Sequence, residues 1–506
     1  MSTNHFVAFD LGAESGRAIL ATLNDEKLDL DVKHRFGNPT ARLRGRLHWD
    51  FLAQWEALKT GLRKSAGSES STKLKLSGIG VDTWGVDFGL ITGDGDLLAM
   101  PVHYRDGRTD GMMDAAFARA SRQTIFEATG IQFMQLNTLF QLLAMQKQSP
   151  RLLDAAETLL FMPDLFNYCF TGERKSELSI ASTSQMLDPR QRAWATGLLR
   201  QLKLPTQILP TLVPSGTIIG NLTDEVAVGC GVDPMPVIAP GCHDTASAIA
   251  AVPVVNESAQ DWCYISSGTW SLMGVELGEP LINEESLKLN YTNELGVAGR
   301  IRFLKNIMGL WLVQECRRQF AADGYDHSYS ELAQMAERAT PFVSLIDPDH
   351  GPFLMPGDMP GKIERFCVST KQKVPNTRGE FVRTCLESLA LTYRRTLEGL
   401  EKMLGRKIAV IHIVGGGSQN ELLNQMTADS CGRPVIAGPI EATAAGNVMV
   451  QAMAIGLVKS LAEARGIIRS SLETKLFSPR DVGKWNEAYE RFRNLPAVTP
   501  PSVTAP

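Results

Sequence analysis

The strongest constraint on the fold of this chain is a strand–turn–strand pattern that occurs twice, once at the start of each half. The first copy spans His5–Leu23 and has a glycine-bearing turn at Gly12. The second copy spans Trp262–Glu276, with Gly268 at the matching place. Apolar runs separated by a short polar turn are typical of β-hairpins. The repetition predicts a duplicated fold with a boundary near residues 253–260.

The length of the chain leads to the same expectation. The chain has 506 residues, and one hydrophobic core rarely grows beyond about 250–300 residues. We therefore expect two α/β domains, at residues 1–253 and 254–490, followed by a disordered tail at 491–506. The end of this tail is rich in Pro, Thr and Ala, a composition that buries little apolar surface.

The composition excludes several classes of protein. Apolar residues make up 44% and charged residues 21%, and the formal net charge of −4 gives no reason to expect nucleic acid or an anionic membrane as partner. None of the eight cysteines forms a CxxC pair or a zinc-ligand spacing, which is typical of reduced thiols. Neither a secretion signal nor an apolar run of about 18 residues is visible. We expect a cytoplasmic protein that is a monomer or a small homo-oligomer.

Hydrophobic periodicity places the main elements. It predicts a helix at Phe51–Lys64, capped by Asp50, and a strand at Leu76–Thr83. It also predicts a hairpin over residues 86–101 and a helix at Asn306–Arg318.

The first hairpin contains an acid at the end of a strand and a glycine-bearing turn, in the segment Asp10–Arg17. Backbone N–H groups in such a turn can hold phosphate oxygens, and the carboxylate of Asp10 can bind magnesium through water. Arg17 would add a charge-assisted contact. Alone, the segment favours an ordinary β-hairpin. The similar turn at Ser266–Trp270 adds weight, because a phosphate chain clamped between two domains needs a turn from each.

Three consecutive glycines, at residues 415–417, follow a predicted strand and open a helix. Glycine lets a base and a ribose approach the backbone, although a strand–helix turn can need glycine for its own geometry. A dinucleotide-binding fingerprint is the rival interpretation, but its third glycine would fall on Asn420. A GxxxxGK[ST] motif does not occur, which excludes a P-loop as the nucleotide site.

Two segments have the residue types of a sugar site. Asp244 precedes a predicted helix and can act as a general base, although Asp is also a common helix N-cap. Its neighbour His243 can hydrogen-bond a sugar or be structural. The segment Asp82–Asp87 places Trp84 among acids, a mixture that suits a sugar but also describes a core Trp beside surface acids.

Taken together in their order along the chain, these motifs resemble those of the FGGY carbohydrate kinases. That family belongs to the ATPase superfamily of actin, hexokinase and the heat-shock chaperones. The resemblance runs from about residue 6 to residue 455. Within the family, the sequence is closely similar to the kinases of L-rhamnulose. The stretches that carry this similarity are Asp82–Phe88, Tyr104–Asp106, Gly130–Phe133, Asn137–Leu139, Met162–Asp164, His243–Ala248, Ser266–Gly274, Lys305–Trp311 and Val414–Asn420.

The resemblance implies two ribonuclease-H-like domains with a catalytic cleft between them, ATP as co-substrate and Mg²⁺ at Asp10. Asp244 would take the proton of the primary 1-hydroxyl, giving L-rhamnulose 1-phosphate and ADP in L-rhamnose catabolism. The implied sugar contacts, to which the residue types add Trp84 and Asp87, are Gly85, His243, Asp244, Thr245 and Asn306. The implied ATP contacts are Ala13, Glu14, Ser15, Gly16, Arg17, Thr269, Asn306, Gln314 and Gly416.

Two positions depart from the family pattern. Glu14 stands where Ser is frequent, and a negative charge beside phosphates is unfavourable unless it points away or lies near the metal. Thr427 and Cys431 occupy a segment in which the family can have two nearby cysteines, so a disulfide is not possible there.

Three alternatives stay open at this stage. The chain can be an FGGY kinase of another ketose or polyol, such as fuculose, xylulose or glycerol. It can be a non-catalytic, actin-like or chaperone-like nucleotide-binding protein. The glycines at residues 415–417 alone would support a dinucleotide oxidoreductase.

Overall fold

The computed structural model describes residues 3–24, 26–67, 73–255 and 261–495. The chain divides into two compact units with interleaved segments. Unit 1 comprises residues 1–258, 275–304 and 441–473, and unit 2 comprises residues 259–274, 305–440 and 474–506. Two later segments therefore pack with unit 1, whereas the sequence predicts a single boundary at 253/254.

The described residues form strands and helices throughout. The strands are β1 (Thr3–Leu11), β2 (Ser15–Asn24), β3 (Lys27–Gly37), β4 (Thr40–Leu43), β5 (Arg46–Trp49), β6 (Leu76–Thr83), β7 (Phe88–Ile91), β8 (Thr158–Phe161), β9 (Lys175–Glu177), β10 (Leu187–Asp188), β11 (Ala193–Trp194), β12 (Thr211–Val213), β13 (Ile218–Asn221), β14 (Pro236–Ile238), β15 (Trp262–Ser267), β16 (Trp270–Leu277), β17 (Thr292–Leu295), β18 (Ile301–Met308), β19 (Val410–Val414), β20 (Val435–Ala437) and β21 (Lys475–Phe477). The α-helices are α1 (Phe51–Ala66), α2 (Met112–Phe117), α3 (Arg122–Thr129), α4 (Thr138–Gln148), α5 (Pro150–Asp154), α6 (Met162–Thr171), α7 (Leu178–Ser182), α8 (Thr196–Gln201), α9 (Asp224–Cys230), α10 (Asp244–Ala250), α11 (Glu284–Lys288), α12 (Trp311–Ala322), α13 (Tyr329–Arg338), α14 (Met359–Ser369), α15 (Arg378–Leu404), α16 (Glu421–Cys431), α17 (Ala442–Ala454), α18 (Leu461–Ser471) and α19 (Val482–Arg493).

Unit 1 is built on a six-stranded mixed sheet in the order β13–β14–β6–β1–β2–β3. Strand β1 pairs antiparallel with β2, with Asp10 opposite Arg17, and parallel with β6, with Asp10 beside Asp82. Strand β14 is parallel to β6 on its other side. The carboxyl ends of these parallel strands therefore meet at one edge of the sheet, where the acids lie.

Unit 2 repeats this arrangement. In the seven-stranded second sheet, the strands of unit 2 run in the order β16–β15–β19–β20–β21. Strand β15 pairs antiparallel with β16 and parallel with β19, as β1 does with β2 and β6. This repeated arrangement confirms the duplicated fold that the two hairpins predict, and it agrees with the ribonuclease-H-like domains that the resemblance implies.

Several predicted elements are confirmed with their end signals. Helix α1 begins after Asp50, whose Oδ1 accepts from the N–H of Ala53 at 3.1 Å, and it ends at Gly67 in the left-handed conformation. Strand β6 has the predicted bounds. The hairpin predicted over residues 86–101 is present but short, because β7 takes β8 as its main partner.

The helix predicted at Asn306–Arg318 is wrong at its start. Strand β18 continues to Met308, and α12 begins at Trp311. The alternating apolar residues before Met308 fit a strand and a helix equally over so short a run. Strand pairing decides for the strand, because β18 lies between β17 and β16 in the second sheet.

The end of the chain is helical further than expected. Helix α19 extends to Arg493, so it includes the first residues of the predicted tail at 491–506, and Phe492 is buried. Residues 496–506 lie outside the described residues. Among the helices that the structure describes, none is long and apolar enough to cross a membrane.

Helix α17 returns late in the chain to complete unit 1. The amide nitrogen of Gln451 donates to the carbonyl of Val7 at 3.1 Å, which ties the helix to β1. Gly446 lies directly against α10, and a Cβ at this position would overlap the backbone carbonyl of Ser247. Because backbone cannot move aside as a flexible side chain does, this crossing requires glycine.

We expect Gly446→Ala to lower the free energy of unfolding by about 1–3 kcal/mol, the usual cost of overpacking a core. The helix propensity of Ala opposes this loss by at most about 1 kcal/mol. Denaturant unfolding measures the change.

Gly466 in α18 is the matched control, because a Cβ there meets only Arg469 Nη2, at 4.0 Å. Gly466→Ala should raise stability slightly, by about 0.5–1 kcal/mol. Equal effects of the two substitutions would contradict the steric role of Gly446.

Candidate active site

The carboxyl ends of β1 and β6 place two carboxylates side by side in unit 1. Asp10 and Asp82 are register partners on these parallel strands, so their side chains lie on the same face. The segment after β14 joins the same edge, where the N–H of Thr83 donates to the carbonyl of Cys242 at 2.9 Å and Thr83 forms a β-bridge with His243. In open α/β sheets, ligands bind at this edge.

Arg17 links Asp10 to the start of α17. Its Nη2 donates to Asp10 Oδ2 at 2.5 Å, and its Nη1 pairs with Glu441. Burial alone would lower the pKa of Arg17, but the two carboxylates raise it overall. The predicted phosphate ligand Arg17 and the predicted metal ligand Asp10 are therefore ion-paired with each other.

The backbone of the predicted phosphate turn, residues 13–17, is fixed by hydrogen bonds. The N–H of Gly12 donates to the carbonyl of Ser15 at 3.0 Å. Asn38 N–H donates to the carbonyl of Glu14 at 3.0 Å, and the Asn38 amide donates to the carbonyl of Gly12 at 2.5 Å. The Glu14 side chain is half-buried. The turn is thus held in one conformation by a residue from outside the hairpin, which the motif alone does not reveal.

Asp82 is completely buried beside this turn. Its Oδ2 accepts from the Asn447 amide at 2.6 Å. The orientation of that amide is fixed in turn by Gln451, whose Nε2 donates to Asn447 Oδ1 at 2.7 Å. Burial, together with repulsion from Asp10, raises the pKa of Asp82 well above its ordinary value.

Asp244 is the first residue of α10, and its side chain is 29% exposed. Thr245 donates to Asp244 Oδ1 through its backbone N–H and through Oγ1, the latter at 3.0 Å. His243 Nε2 lies 3.5 Å from the same oxygen. Among the contacts of the described residues, none uses Oδ2, so this oxygen has lone pairs that can accept a proton.

The surroundings of Asp244 also increase its basicity. Burial raises the pKa of its carboxyl, and repulsion from Asp10 adds to the effect. A carboxylate with a raised pKa is a stronger general base. The predicted base therefore has both the geometry and the electrostatics for accepting a proton.

Glu177 is a residue that the sequence motifs missed. Its buried Oε2 accepts from the N–H of Cys242 at 3.1 Å, while Ser179 Oγ accepts from the N–H of His243 at 3.1 Å. Glu177 and Ser179 are also bonded to each other, at 2.5 Å. These bonds hold the backbone that carries the His243–Asp244 pair. Because the bonds to the N–H groups of Cys242 and His243 join residues more than 60 positions apart, no local pattern signals them.

The predicted sugar residues Trp84 and Asp87 are both buried. Asp87 Oδ2 accepts from the indole nitrogens of Trp49, at 2.6 Å, and Trp84, at 3.1 Å. Gln141 donates to its Oδ1 at 3.1 Å. Gly85 lies against Thr183, which a Cβ at Gly85 would approach to 3.1 Å. The structure thus shows Asp87 as the acceptor that holds this segment together, and its sugar contact stays a prediction.

The remaining predicted ATP residues lie in unit 2. Thr269 stands in the β15–β16 turn, and its carbonyl accepts from the N–H of Trp311 at 3.1 Å, which ties the start of α12 to the turn. Gln314 lies on the first turn of α12, and Asn306 lies on β18. Both side chains are half-buried.

The glycines after β19 have different steric roles. Gly415 has a positive φ of 86°, which favours glycine, and a Cβ at Gly417 would overlap the side chain of Ser267. A Cβ at Gly416 would meet no atom within 4 Å. The space beside Gly416, the predicted nucleotide contact, is therefore open.

Family comparisons are consistent with this geometry. The N-terminal domain of the FGGY family of carbohydrate kinases matches residues 5–251, and its C-terminal domain matches residues 263–455. The chain belongs to the FGGY family of carbohydrate kinases. As an FGGY kinase, it uses ATP as co-substrate.

Two curated relatives match nearly the whole of this FGGY kinase. A rhamnulokinase of Bacteroides thetaiotaomicron is 44% identical over 490 residues, which cover 97% of this chain and 99% of the relative. A rhamnulokinase of Bacillus subtilis is 38% identical over 481 residues, which cover 95% of this chain and 96% of the relative.

Solved structures of two other kinases share the fold. A ligand-bound xylulose kinase of Lactobacillus acidophilus has a TM-score of 0.77 at 15% identity and covers 97% of both chains. A glycerol kinase of Plasmodium falciparum with ADP has a TM-score of 0.73 at 15% identity, covering 97% of this chain and 98% of that chain. At this identity, the likeness concerns the fold alone.

The buried Asp87 gives a prediction about pH. Burial raises the pKa of Asp87 to about 6 from an ordinary value of 3.8, so the folded protein binds this proton more tightly than the unfolded chain. Its contribution to stability is therefore largest below the unfolded pKa and is lost as the pH rises to about 6. The stability advantage of wild type over Asp87→Asn should fall by about 2 kcal/mol from pH 4 to pH 7.

Denaturant unfolding at several pH values measures this difference, and Asp94→Asn, at an exposed loop acid, is the control that should show no such trend. A pH-independent difference for Asp87→Asn would refute the raised pKa.

The role of Glu177 in holding the site gives a second prediction. Glu177→Ala leaves the buried N–H of Cys242 without its acceptor and should cost about 3 kcal/mol of stability. It should also lower kcat, because the backbone of the His243–Asp244 pair is released. Glu177→Gln should lose less, since an amide oxygen can replace Oε2 while its nitrogen donates to Ser215.

Steady-state kinetics and denaturant unfolding separate the two effects. Ser215→Ala is the control, because Ser215 contacts only the other oxygen of Glu177, at 2.6 Å. Unchanged kcat in Glu177→Ala would contradict a positioning role.

Proposed function

We propose that this FGGY kinase transfers the γ-phosphoryl group of ATP to the primary 1-hydroxyl of L-rhamnulose. The products are L-rhamnulose 1-phosphate and ADP, and the reaction serves L-rhamnose catabolism. The observation that carries the chemistry is the free Oδ2 of Asp244, on a carboxyl whose pKa is raised. The choice of sugar is supported by the relatives named rhamnulokinase, which match almost the whole chain.

The proposed first step is removal of the hydroxyl proton. Asp244 Oδ2 accepts this proton while Thr245 and His243 hold Oδ1. The sugar oxygen then attacks the γ-phosphorus in line with the leaving ADP oxygen. Gly85, His243, Thr245 and Asn306 orient the sugar in this proposal, with Trp84 and Asp87 supporting the segment around Gly85.

In this proposal, backbone N–H groups and a charged side chain bind the phosphates of ATP. The turn at residues 13–17 offers N–H groups, and Arg17 offers a guanidinium that pairs with phosphate once its ion pairs rearrange. On the side of unit 2, Thr269, Gln314 and Gly416 take the nucleotide.

The residues beside this turn fit a magnesium ion. Mg²⁺ in phosphoryl-transfer sites is usually held by one or two carboxylates, water and phosphate oxygens. Within the part of the chain that the structure describes, no three His, Cys, Asp or Glu side chains form a ligand cage. Asp82 Oδ1 is buried and has no hydrogen-bond partner among the described residues, and Asp10 is its neighbour. Asp10, with Asp82 beside it, would hold the ion, which neutralises phosphate charge when bound.

The cellular setting is also part of the proposal. We assign the enzyme to the cytoplasm, where ATP is present, and all eight cysteines are free thiols as that compartment requires. We expect a monomer or small homo-oligomer, which analytical ultracentrifugation measures directly.

The decisive variant is Asp244→Asn, which keeps the shape of the side chain but cannot accept the proton. We expect kcat to fall by about 10²–10⁴-fold, the usual contribution of a general base. Near-normal turnover in a folded variant would refute the catalytic role.

A matched control exists in α9, which, like α10, has seven residues and begins with Asp. Asp224 at this position is exposed, so Asp224→Asn should leave kcat unchanged. This comparison separates general-base chemistry from the effect of removing a negative charge at a helix N-terminus.

Sugar identity is tested by ADP release with L-rhamnulose, L-fuculose, D-xylulose and glycerol. The proposal expects the highest kcat/KM with L-rhamnulose. A higher value with another sugar would overturn the substrate assignment but keep the kinase, and ATP hydrolysis that no sugar stimulates would favour a non-catalytic relative of actin or the chaperones.

A further inference from the structure

A buried ion pair lies directly behind His243 in unit 1. Glu294 on β17 and Arg302 on β18 are register partners across an antiparallel pair. Arg302 Nη2 lies 3.0 Å from Glu294 Oε2, and the two side chains are 1% and 4% exposed. Cross-strand partners of opposite charge are common on sheet surfaces, but a pair buried to this degree is not.

The same guanidinium reaches the imidazole of His243. Arg302 Nη2 lies 3.0 Å from His243 Nδ1, and Glu294 Oε2 lies 3.2 Å from the same ring nitrogen. The opposite ring nitrogen, Nε2, is the one that lies 3.5 Å from Asp244 Oδ1. The imidazole therefore stands between the ion pair and the general base.

The identity of these atoms fixes the position of the ring proton. A guanidinium has only donors and stays charged in proteins. If Nδ1 also had a proton, two N–H donors would face each other at the distance of a hydrogen bond. With Nδ1 accepting from Arg302, the proton of the neutral ring is on Nε2.

A rival arrangement would have Nδ1 protonated and donating to Glu294. It requires Arg302 to turn away from Nδ1, but two features hold the guanidinium in place. Arg302 Nε donates to the carbonyl of Leu295 at 3.1 Å, and its stem packs over Gly296, where a Cβ would lie 3.1 Å from Arg302 Cγ. The described position of Arg302 thus favours the arrangement in which Nδ1 accepts.

We propose that Arg302 and Glu294 are positioning residues of the phosphoryl transfer, which hold His243 as the neutral Nε2–H tautomer facing Asp244. The inference rests on the proposed function only in naming the reaction. The Nε2–H keeps Oδ1 of Asp244 engaged, together with Thr245, so that Oδ2 is the oxygen that takes the proton of the sugar. Glu294 balances the charge of Arg302, which otherwise would stand unpaired in the interior.

The energetics of the pair agree with a functional role. Burying an ion pair is often neutral or unfavourable compared with an apolar pair. Arg302 Nη1 is buried without a hydrogen-bond partner among the described residues, which adds a further cost. The pair therefore adds little to the stability of the fold. Its position beside Nδ1 suits a role in holding the tautomer of His243.

The primary test is the tautomer itself, measured by ¹⁵N NMR of the histidine rings in the full-length protein without sugar or ATP. The His243→Gln variant assigns the signal among the eight histidines. The proposal expects the neutral Nε2–H form at pH 7–8. A neutral Nδ1–H form, or a doubly protonated ring, would overturn it, whichever sugar the enzyme phosphorylates.

Substitutions of the two positioning residues give opposite expectations. Arg302→Met removes the donor to Nδ1 and should produce a mixture of both tautomers. Glu294→Gln should keep the Nε2–H form, because Arg302 still donates. If Glu294→Gln changes the tautomer and Arg302→Met does not, Glu294 rather than Arg302 determines the ring state, and the proposal fails.

The chain supplies a matched control in a second buried ion pair, between Arg465 on α18 and Glu276 on β16, which contacts the other end of α10. Arg465 Nη2 lies 2.7 Å from Glu276 Oε2 and 3.0 Å from the carbonyl of Ile249, at the opposite end of α10. Arg465→Met removes a buried arginine without touching His243. It should lower stability, as Arg302→Met does, but leave the tautomer of His243 unchanged.

Kinetics then connect the tautomer to the reaction. Arg302→Met should lower kcat by about 10- to 100-fold, by analogy with the loss of a partner that orients a metal-ligating histidine, while KM for ATP stays within about twofold. Arg302→Lys still donates to Nδ1 and should restore part of kcat and of the Nε2–H signal. A variant that loses the tautomer but keeps full kcat would refute the positioning role while leaving the proposed function intact.

Discussion

A carboxylate that is removed from water needs hydrogen-bond donors. Unit 1 brings the carboxylates of Asp10, Asp82 and Asp244 together at one edge of its sheet. Asp10 is paired with Arg17 from the return strand of the hairpin. Asp82 depends on the amide of Asn447 from a helix late in the chain. The donors thus come from separate elements, and satisfying the acids requires these elements to be packed together. Unit 1 therefore has to place these donors correctly as well as pack its apolar side chains. The reason is that burying an acid without a donor costs more free energy than most apolar contacts provide.

The same principle applies to Asp244, the proposed base. Glu177 fixes the backbone that carries His243 and Asp244, because its carboxylate accepts a hydrogen bond from the N–H of Cys242. The two carboxylate oxygens of Asp244 then differ in their contacts, because Thr245 donates a hydrogen bond to Oδ1. A carboxylate with one oxygen engaged and the other open is poised for proton transfer without a change of its own conformation. Arg302 and Glu294 extend this control by one more layer, to the histidine ring.

Much of the fold was predictable because its signals are local. The two hairpins, the Asp50 cap and strand β6 follow from periodicity and end signals within about ten residues. The helix predicted at Asn306 failed because strand pairing with a distant partner overrode an ambiguous pattern. The residues of the candidate site show the same difference between local and long-range signals. The motif residues Asp10 and Asp244 are visible as types at strand and helix ends, whereas Glu177 and Arg302 act through partners that are adjacent only after folding.

Helix α17 has a consequence for the synthesis of the protein. The donor Asn447 lies 365 residues after the acid Asp82 that it serves. Ribosomes add about 5–20 residues per second, so roughly 20–70 seconds pass between the two. During that time the first sheet has emerged, but the helix that covers it and supplies its amides has not. A nascent chain of this kinase therefore waits for its own later segment, and a product released before residue 441 lacks the part that completes its first half.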